Sequence, residues 1–176
     1  MEKRHNYAAA GFLLLGIGAA GRAFLGVPEG VTMAELSLTV LLVIGALLLT
    51  RQGLAALVCG LAATALELVL CGSWVQAGAA LAAAAPFLRL GLVWGSLPAA
   101  RRAVDDLKYT RSTRMMLVAC GVLLAAHTVL RIASLAAPAS VPLGKASSGS
   151  FVVFSVLLLW YTVLMVKAYN VQRTKH

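Results

Sequence analysis

Charge is scarce in this chain, and acidic charge is the scarcest. Only 12% of its 176 residues are charged, with 6 acidic and 15 basic side chains, whereas about a quarter of a soluble domain is charged. Hydrophobic residues make up 61%, and the mean hydropathy is +0.90. This composition excludes a soluble globular domain, a disordered chain, collagen, a coiled coil and a disulfide-rich secreted scaffold. It indicates one small integral membrane domain over residues 1–176.

The residues and motifs that enzymes most often need are also few. Three cysteines contain no CxxC pair, which argues against a thiol oxidoreductase, and three dispersed histidines form no HExxH-type metal site. The aspartates, Asp105 and Asp106, are adjacent and cannot supply the facing carboxylates of an intramembrane aspartyl protease. No P-loop, Gly-x-Ser-x-Gly or dinucleotide fingerprint occurs. We therefore expect no enzyme, cofactor or metal, the alternative being a glutamate with His127 acting on a lipid head group.

Long apolar stretches dominate the chain instead. Six of them approach the roughly 20 residues that a helix needs to cross a bilayer. They are Tyr7–Leu25, Val31–Thr50, Gly53–Trp74, Gln76–Pro98, Arg114–Leu135 and Ser150–Ala168. The sequence thus predicts an all-α, polytopic transmembrane helix bundle of six spans. In the alternative, the first span is a cleaved signal peptide and five spans remain.

The basic residues predict the orientation of these spans. With the N-terminus inside, one group of basic residues lies on the cytoplasmic side: Lys3, Arg4, Arg51, Arg101, Arg102, Lys108, Arg111, Arg114, Lys167, Arg173 and Lys175. Lys145 alone lies outside. This asymmetry follows the positive-inside rule, so we expect both termini in the cytoplasm and a cell-membrane location. The net charge of +9 then fits anionic lipid head groups as partners and needs no nucleic acid.

Ionisable residues inside the spans are costly and are therefore candidates for function. Five of them, from four helices, fall at one depth in the outer half of the bilayer: Arg22, Glu35, Glu67, His127 and Arg131. We call these five the polar layer. Its residues share helix faces with other polar side chains, such as Thr39 with Glu35. Arg89 is interpreted differently, as a residue near the cytoplasmic end of the fourth span whose side chain extends to the head groups.

The polar layer admits two interpretations. In one, it is an outward-facing cavity that binds a small polar solute, and the protein is a component of a membrane transporter. In the other, Arg22 and Arg131 are neutralised by Glu35 and Glu67, and the protein is a non-catalytic accessory or scaffold subunit. A membrane protein partner or a homo-oligomer is possible under either interpretation.

Small residues predict where helices pack closely. In the fourth span, Ala80, Ala84, Gly91 and Gly95 recur at helical spacing, and the last two form a GxxxG motif. Such faces pack against helices of the same chain or against another subunit. Pro138, Pro142 and Gly144 predict an irregular loop over the segment 136–149, between the fifth and sixth spans.

By size and topology, six short helices with both ends inside resemble the substrate-binding subunits of energy-coupling-factor vitamin transporters. That resemblance implies a solute site near the outer face and a small-residue surface that docks onto an ATPase-bearing partner. The alanine-x-x-x-alanine motif typical of the first helix of that family has only the offset counterpart Ala19–Ala23 here. The resemblance is therefore one of architecture and includes no diagnostic motif.

Overall fold

The fold is built entirely from helices in the part of the chain that the structure describes. A computed structural model describes residues 2–25, 32–49, 54–71, 78–104, 107–136 and 141–174. These residues form six helices: α1 (Glu2–Leu25), α2 (Met33–Leu48), α3 (Leu54–Cys71), α4 (Gly78–Val104), α5 (Leu107–Ala136) and α6 (Val141–Thr174). No strand occurs among them. The predicted all-α class is confirmed.

Among the residues that the structure describes, two segments are long and apolar enough to cross a membrane by length and composition. They are Tyr7–Leu25 in α1 and Val152–Thr174 in α6. The apolar helix Met33–Leu48 has 16 residues, which is about 24 Å at 1.5 Å per residue and less than the roughly 30 Å of a bilayer core. These two segments agree with membrane association, while six spans and their orientation stay predictions.

The helices pack in a closed order around the core. Each helix packs on its neighbours in sequence, α6 packs back on α1, and α4 also reaches α6 across the bundle. Close contacts run antiparallel: Gly18 lies against Leu42 of α2, and Gly95 lies against Ala56 of α3. Large side chains such as Phe12, Leu92 and Tyr161 fill the centre and are fully buried.

Several helix ends differ from the sequence prediction. Helix α6 begins at Val141, so the irregular loop predicted over 136–149 is wrong for its second half. The physical reason is that Pro142 lies in the first turn, where a backbone N–H has no partner within the helix and its loss costs little. Helix α4 continues past Pro98 to Val104, and α5 already begins at Leu107.

Candidate functional site: a buried cluster of charges

Glu35 is held by the start of its own helix. The Thr32 backbone N–H donates to Glu35 Oε2 at 2.8 Å, and the Glu35 backbone N–H donates to Thr32 Oγ1 at 3.2 Å. This reciprocal capping box satisfies donors that the first turn of a helix leaves free. The second carboxylate oxygen, Oε1, lies 2.9 Å from Arg22 Nη1 of α1. Glu35 therefore caps α2 and also joins α2 to α1.

Glu67 is the centre of the charged contacts. Its Oε1 accepts from Arg22 Nη2 of α1 and from Arg89 Nε of α4. Its other oxygen, Oε2, accepts the hydroxyl of Thr39 from α2 at 2.7 Å. Glu67 itself lies on α3 and is fully buried. One carboxylate on α3 thus contacts side chains from three other helices, α1, α2 and α4.

Arg89 does not extend to the head groups, and that interpretation is wrong. The residue is buried and forms an ion pair with Glu67. Side chains on an α-helix lean toward its N-terminus, over the preceding turn. Because α4 and α3 run antiparallel, with Gly91 beside Cys59, this lean carries the Arg89 guanidinium toward Glu67. To reach the head groups, the Arg89 side chain would have to extend toward the C-terminal end of α4, against this lean.

Arg22, Glu35, Glu67 and Arg89 form what we call the charge cluster. They are between 0% and 8% exposed, and the sum of their charges is zero. Removing isolated charges from water is expensive, whereas paired charges that are also hydrogen-bonded can be tolerated in an interior. The cluster therefore has the composition expected of an ion-pair network among four helices.

Arg22 is incompletely satisfied within this cluster. Its Nη1 forms an ion pair with Glu35, but the N–H bond does not point at the carboxylate oxygen, so the two atoms form no hydrogen bond. The ion pair still stabilises the contact, because opposite charges attract at any angle. The Nε atom is also buried, and it has no hydrogen-bond partner among the described residues.

Three of the five residues of the polar layer are thus in contact: Arg22, Glu35 and Glu67. His127 is half-buried on α5, which packs on α4 and α6. The Arg131 side chain lies outside the described residues, and its predicted pairing stays a prediction. Sequence reasoning missed Arg89 in this role, although the lean of side chains on α4 was a usable signal. It also missed the Thr-x-x-Glu capping signature at Thr32.

The structure describes the surroundings of two of the four small residues that the sequence singles out on α4, Gly91 and Gly95. An ideal Cβ built on Gly95 would stand 2.6 Å from the backbone nitrogen of Ala56, and one on Gly91 would stand 2.9 Å from Cys59 Sγ. The GxxxG motif therefore faces α3 of the same chain. Only glycine permits this close approach at Gly95, where the neighbour is backbone, whereas Gly91 meets the Cys59 side chain, which can move. The side chains of Ala80 and Ala84 lie outside the described residues.

A second, neutral polar contact joins α4 to α6. The Ser96 hydroxyl donates to the Val93 carbonyl oxygen at 2.8 Å and accepts from the Tyr161 hydroxyl at 2.6 Å. Both side chains are buried. Trp160, the neighbour of Tyr161, is 37% exposed on the outer surface of the bundle. Tyr161 therefore has a packing and hydrogen-bonding role within the core.

The described residues hold no group of three or more His, Cys, Asp or Glu side chains that could bind a metal ion. The charge cluster contains two carboxylates, but each faces a guanidinium group. Any function has to be inferred from these contacts, since no protein-family model, no curated protein and no solved structure matches this chain.

Proposed function

We propose that this chain is a non-catalytic accessory or scaffold subunit of a complex in the cell membrane, with six spans and both termini in the cytoplasm. The observation that carries the proposal is the mutual neutralisation of Arg22, Glu35, Glu67 and Arg89. A solute site would need charged atoms directed at open space, whereas these atoms are directed at one another. The cluster then serves to fix how α1 to α4 pack.

Membrane embedding is supported by the distribution of polarity over the bundle. The charged side chains of the cluster lie in the interior, and exposed basic side chains lie near the helix ends. Large apolar side chains cover much of the outside between those ends. Among the most exposed are Phe24 at 77%, Met33 at 69%, Val129 at 66% and Val163 at 64%. In water such a surface would favour aggregation, whereas in lipid it is the expected outer surface.

The orientation is supported by the antiparallel order of the helices. Successive helices alternate in direction, so α4 ends and α5 begins at the end of the bundle where α1 starts and α6 finishes. This end carries Arg101, Arg102, Arg111, Arg114 and Arg173. Lys145 lies at the opposite end. Under the positive-inside rule, the Arg-rich end faces the cytoplasm.

The test compares single and paired substitutions in the cluster. Glu67→Gln leaves two buried arginines with one carboxylate, and we expect a large loss of thermal stability in mild detergent. Glu67→Gln with Arg89→Gln leaves the neutral pair Arg22 and Glu35, so the double variant should be more stable than Glu67→Gln alone.

The matched control for that test is Glu67→Gln with Arg131→Gln, which removes the arginine that the sequence alone pairs with Glu67. We expect no comparable recovery from this control. Equal recovery in both double variants would show that net charge decides stability. A Glu67→Gln protein with the thermal stability of wild type would contradict the structural role of the cluster.

A second candidate, a solute-binding component of a membrane transporter, is favoured by the buried Nε of Arg22, which has no hydrogen-bond partner in the part of the chain that the structure describes. A buried donor of this kind suits an acceptor oxygen supplied by a small molecule. Native mass spectrometry after gentle extraction would support this candidate if wild type retains a solute that folded Arg22→Gln/Glu35→Gln protein lacks. Wild-type protein that carries lipid alone would contradict it.

A further inference from the structure

The outer face of α5 carries an apolar groove that the charge cluster does not explain. The groove is open to the surface, has a volume of about 730 Å³ and is lined almost entirely by one face of α5, together with Val153 of α6. Its apolar lining includes Met115, Val118 and Val122, each more than half exposed. These positions recur at helical spacing, so they form one continuous stripe.

Two arginines lie at one end of this stripe. Arg111 and Arg114 line the same groove, are both exposed and stand three residues apart, which places them on one helix face. The carboxylate side chains that the structure describes, those of Glu35 and Glu67, are both in the buried charge cluster. The two guanidinium groups therefore face no described carboxylate, and their chemistry suits a phosphate group.

The length of the groove fits one leaflet of a bilayer. Arg114 and Ala126, which also lines the groove, are separated by about 18 Å along the helix, while half of a hydrocarbon core is about 15 Å thick. With the orientation proposed above, the arginines lie at the cytoplasmic head groups. The apolar stripe then runs from there toward the centre of the membrane.

We infer that the α5 groove binds an anionic phospholipid of the cytoplasmic leaflet. Arg111 and Arg114 hold its phosphate, and an acyl chain lies along Met115, Val118 and Val122 against Val153. This inference rests on the proposed membrane orientation. It adds a defined site to the general attraction between basic loops and anionic head groups.

The experiment is native mass spectrometry of the full-length chain from mixed micelles of phosphatidylglycerol and phosphatidylcholine with identical acyl chains. Wild type should retain phosphatidylglycerol preferentially. Arg111→Gln/Arg114→Gln should weaken that retention about 10- to 30-fold, since each guanidinium that contacts the lipid phosphate within the groove should contribute a factor of about 3 to 5. Val122→Trp, which fills the groove, should lower the retention of both lipids.

The matched control is Arg101→Gln/Arg102→Gln, which removes the same charge from exposed positions on α4. It should retain phosphatidylglycerol like wild type. Equal losses in the two double variants would overturn the inference in favour of diffuse attraction. A dimer or partner complex that Val122→Trp dissolves, with no lipid preference, would overturn it in favour of helix docking.

Failure here is distinguishable from failure of the proposed function. The groove variants do not touch the charge cluster, so their thermal stability should match that of wild type. Loss of the lipid preference with an intact Glu67 and Arg89 result would remove the groove inference alone. Labelling of an Arg111→Cys variant from outside the cell would contradict the proposed orientation and the groove inference that rests on it.

Discussion

The two sides of this bundle are held together by different physical means. Helices α1 to α4 meet at a buried charge cluster in which Glu67 alone contacts three neighbours. Helix α5 packs on α4 and α6. A weak hydrogen bond from Cys120 Sγ to the Leu90 carbonyl oxygen, at 3.8 Å, joins it to α4, and several of its valines stay exposed. Lipid is as apolar as valine, so burial gives helices little reason to associate in a membrane. The charge cluster should therefore determine how α1 to α4 pack together, whereas the α5 side should tolerate substitutions with little loss of stability.

The largest effect should come from removing an arginine of the cluster. Arg22→Gln leaves Glu35 and Glu67 with one described positive charge between them, and we expect a loss of about 3–5 kcal/mol in the free energy of unfolding. The measurement is an unfolding titration with SDS. Adding Glu35→Gln should recover much of the loss, because the amide oxygen of Gln can still cap α2. A double variant as unstable as Arg22→Gln would contradict the ion-pair explanation.

The sequence was informative about this cluster where depth alone was enough. Arg22, Glu35 and Glu67 were placed in one layer by counting residues along apolar spans, and the structure brings them into contact. Sequence reasoning missed Arg89 because its Cα lies near the middle of α4 and not at the level of Glu67. Its side chain crosses roughly 8 Å to Glu67 at 1.5 Å per residue, a distance that only a long, leaning side chain covers.

The helix ends show a similar division. Hydropathy located the apolar centres of the helices, but it could not show that α5 and α6 extend well beyond them. Extension into a polar segment depends on local backbone preferences, such as the tolerance of a first helical turn for Pro142. The choice between a cavity and a closed network was also beyond the sequence, because balanced charges are compatible with both.

The next largest effect should come from the close contact between α3 and α4. A methyl group at Gly95 would meet the Ala56 backbone, which cannot move aside without separating the helices. We expect Gly95→Ala to cost about 1–3 kcal/mol, as overpacked cores do. The control is Gly121→Ala on α5, where an added Cβ meets nothing within 4 Å. Thermal unfolding should show that Gly95→Ala lowers the unfolding temperature, whereas Gly121→Ala leaves it unchanged or raises it slightly.

A smaller effect should follow from loss of the cap on α2. Thr32→Ala removes the hydroxyl that accepts from the Glu35 backbone, and such losses cost about 1 kcal/mol. Ser37→Ala is the control, because the exposed Ser37 hydroxyl bonds to the carbonyl oxygen of Met33 within its own helix and does not cap it. Equal unfolding midpoints for the two variants would show that the cap contributes nothing beyond the ion pair of Glu35.

The smallest effect should appear on α5 and sharpens the contrast between the two sides. Val93 of α4 is 1% exposed and Val118 of α5 is 62% exposed, so Val→Ala removes the same atoms from opposite environments. Val93→Ala should cost about 1–2 kcal/mol through lost packing contacts. Val118→Ala should stay within about 0.5 kcal/mol, since lipid or detergent replaces the lost contacts. A comparable loss at Val118 would mean that its face is covered by a tightly bound partner, and α5 would then belong to an interface.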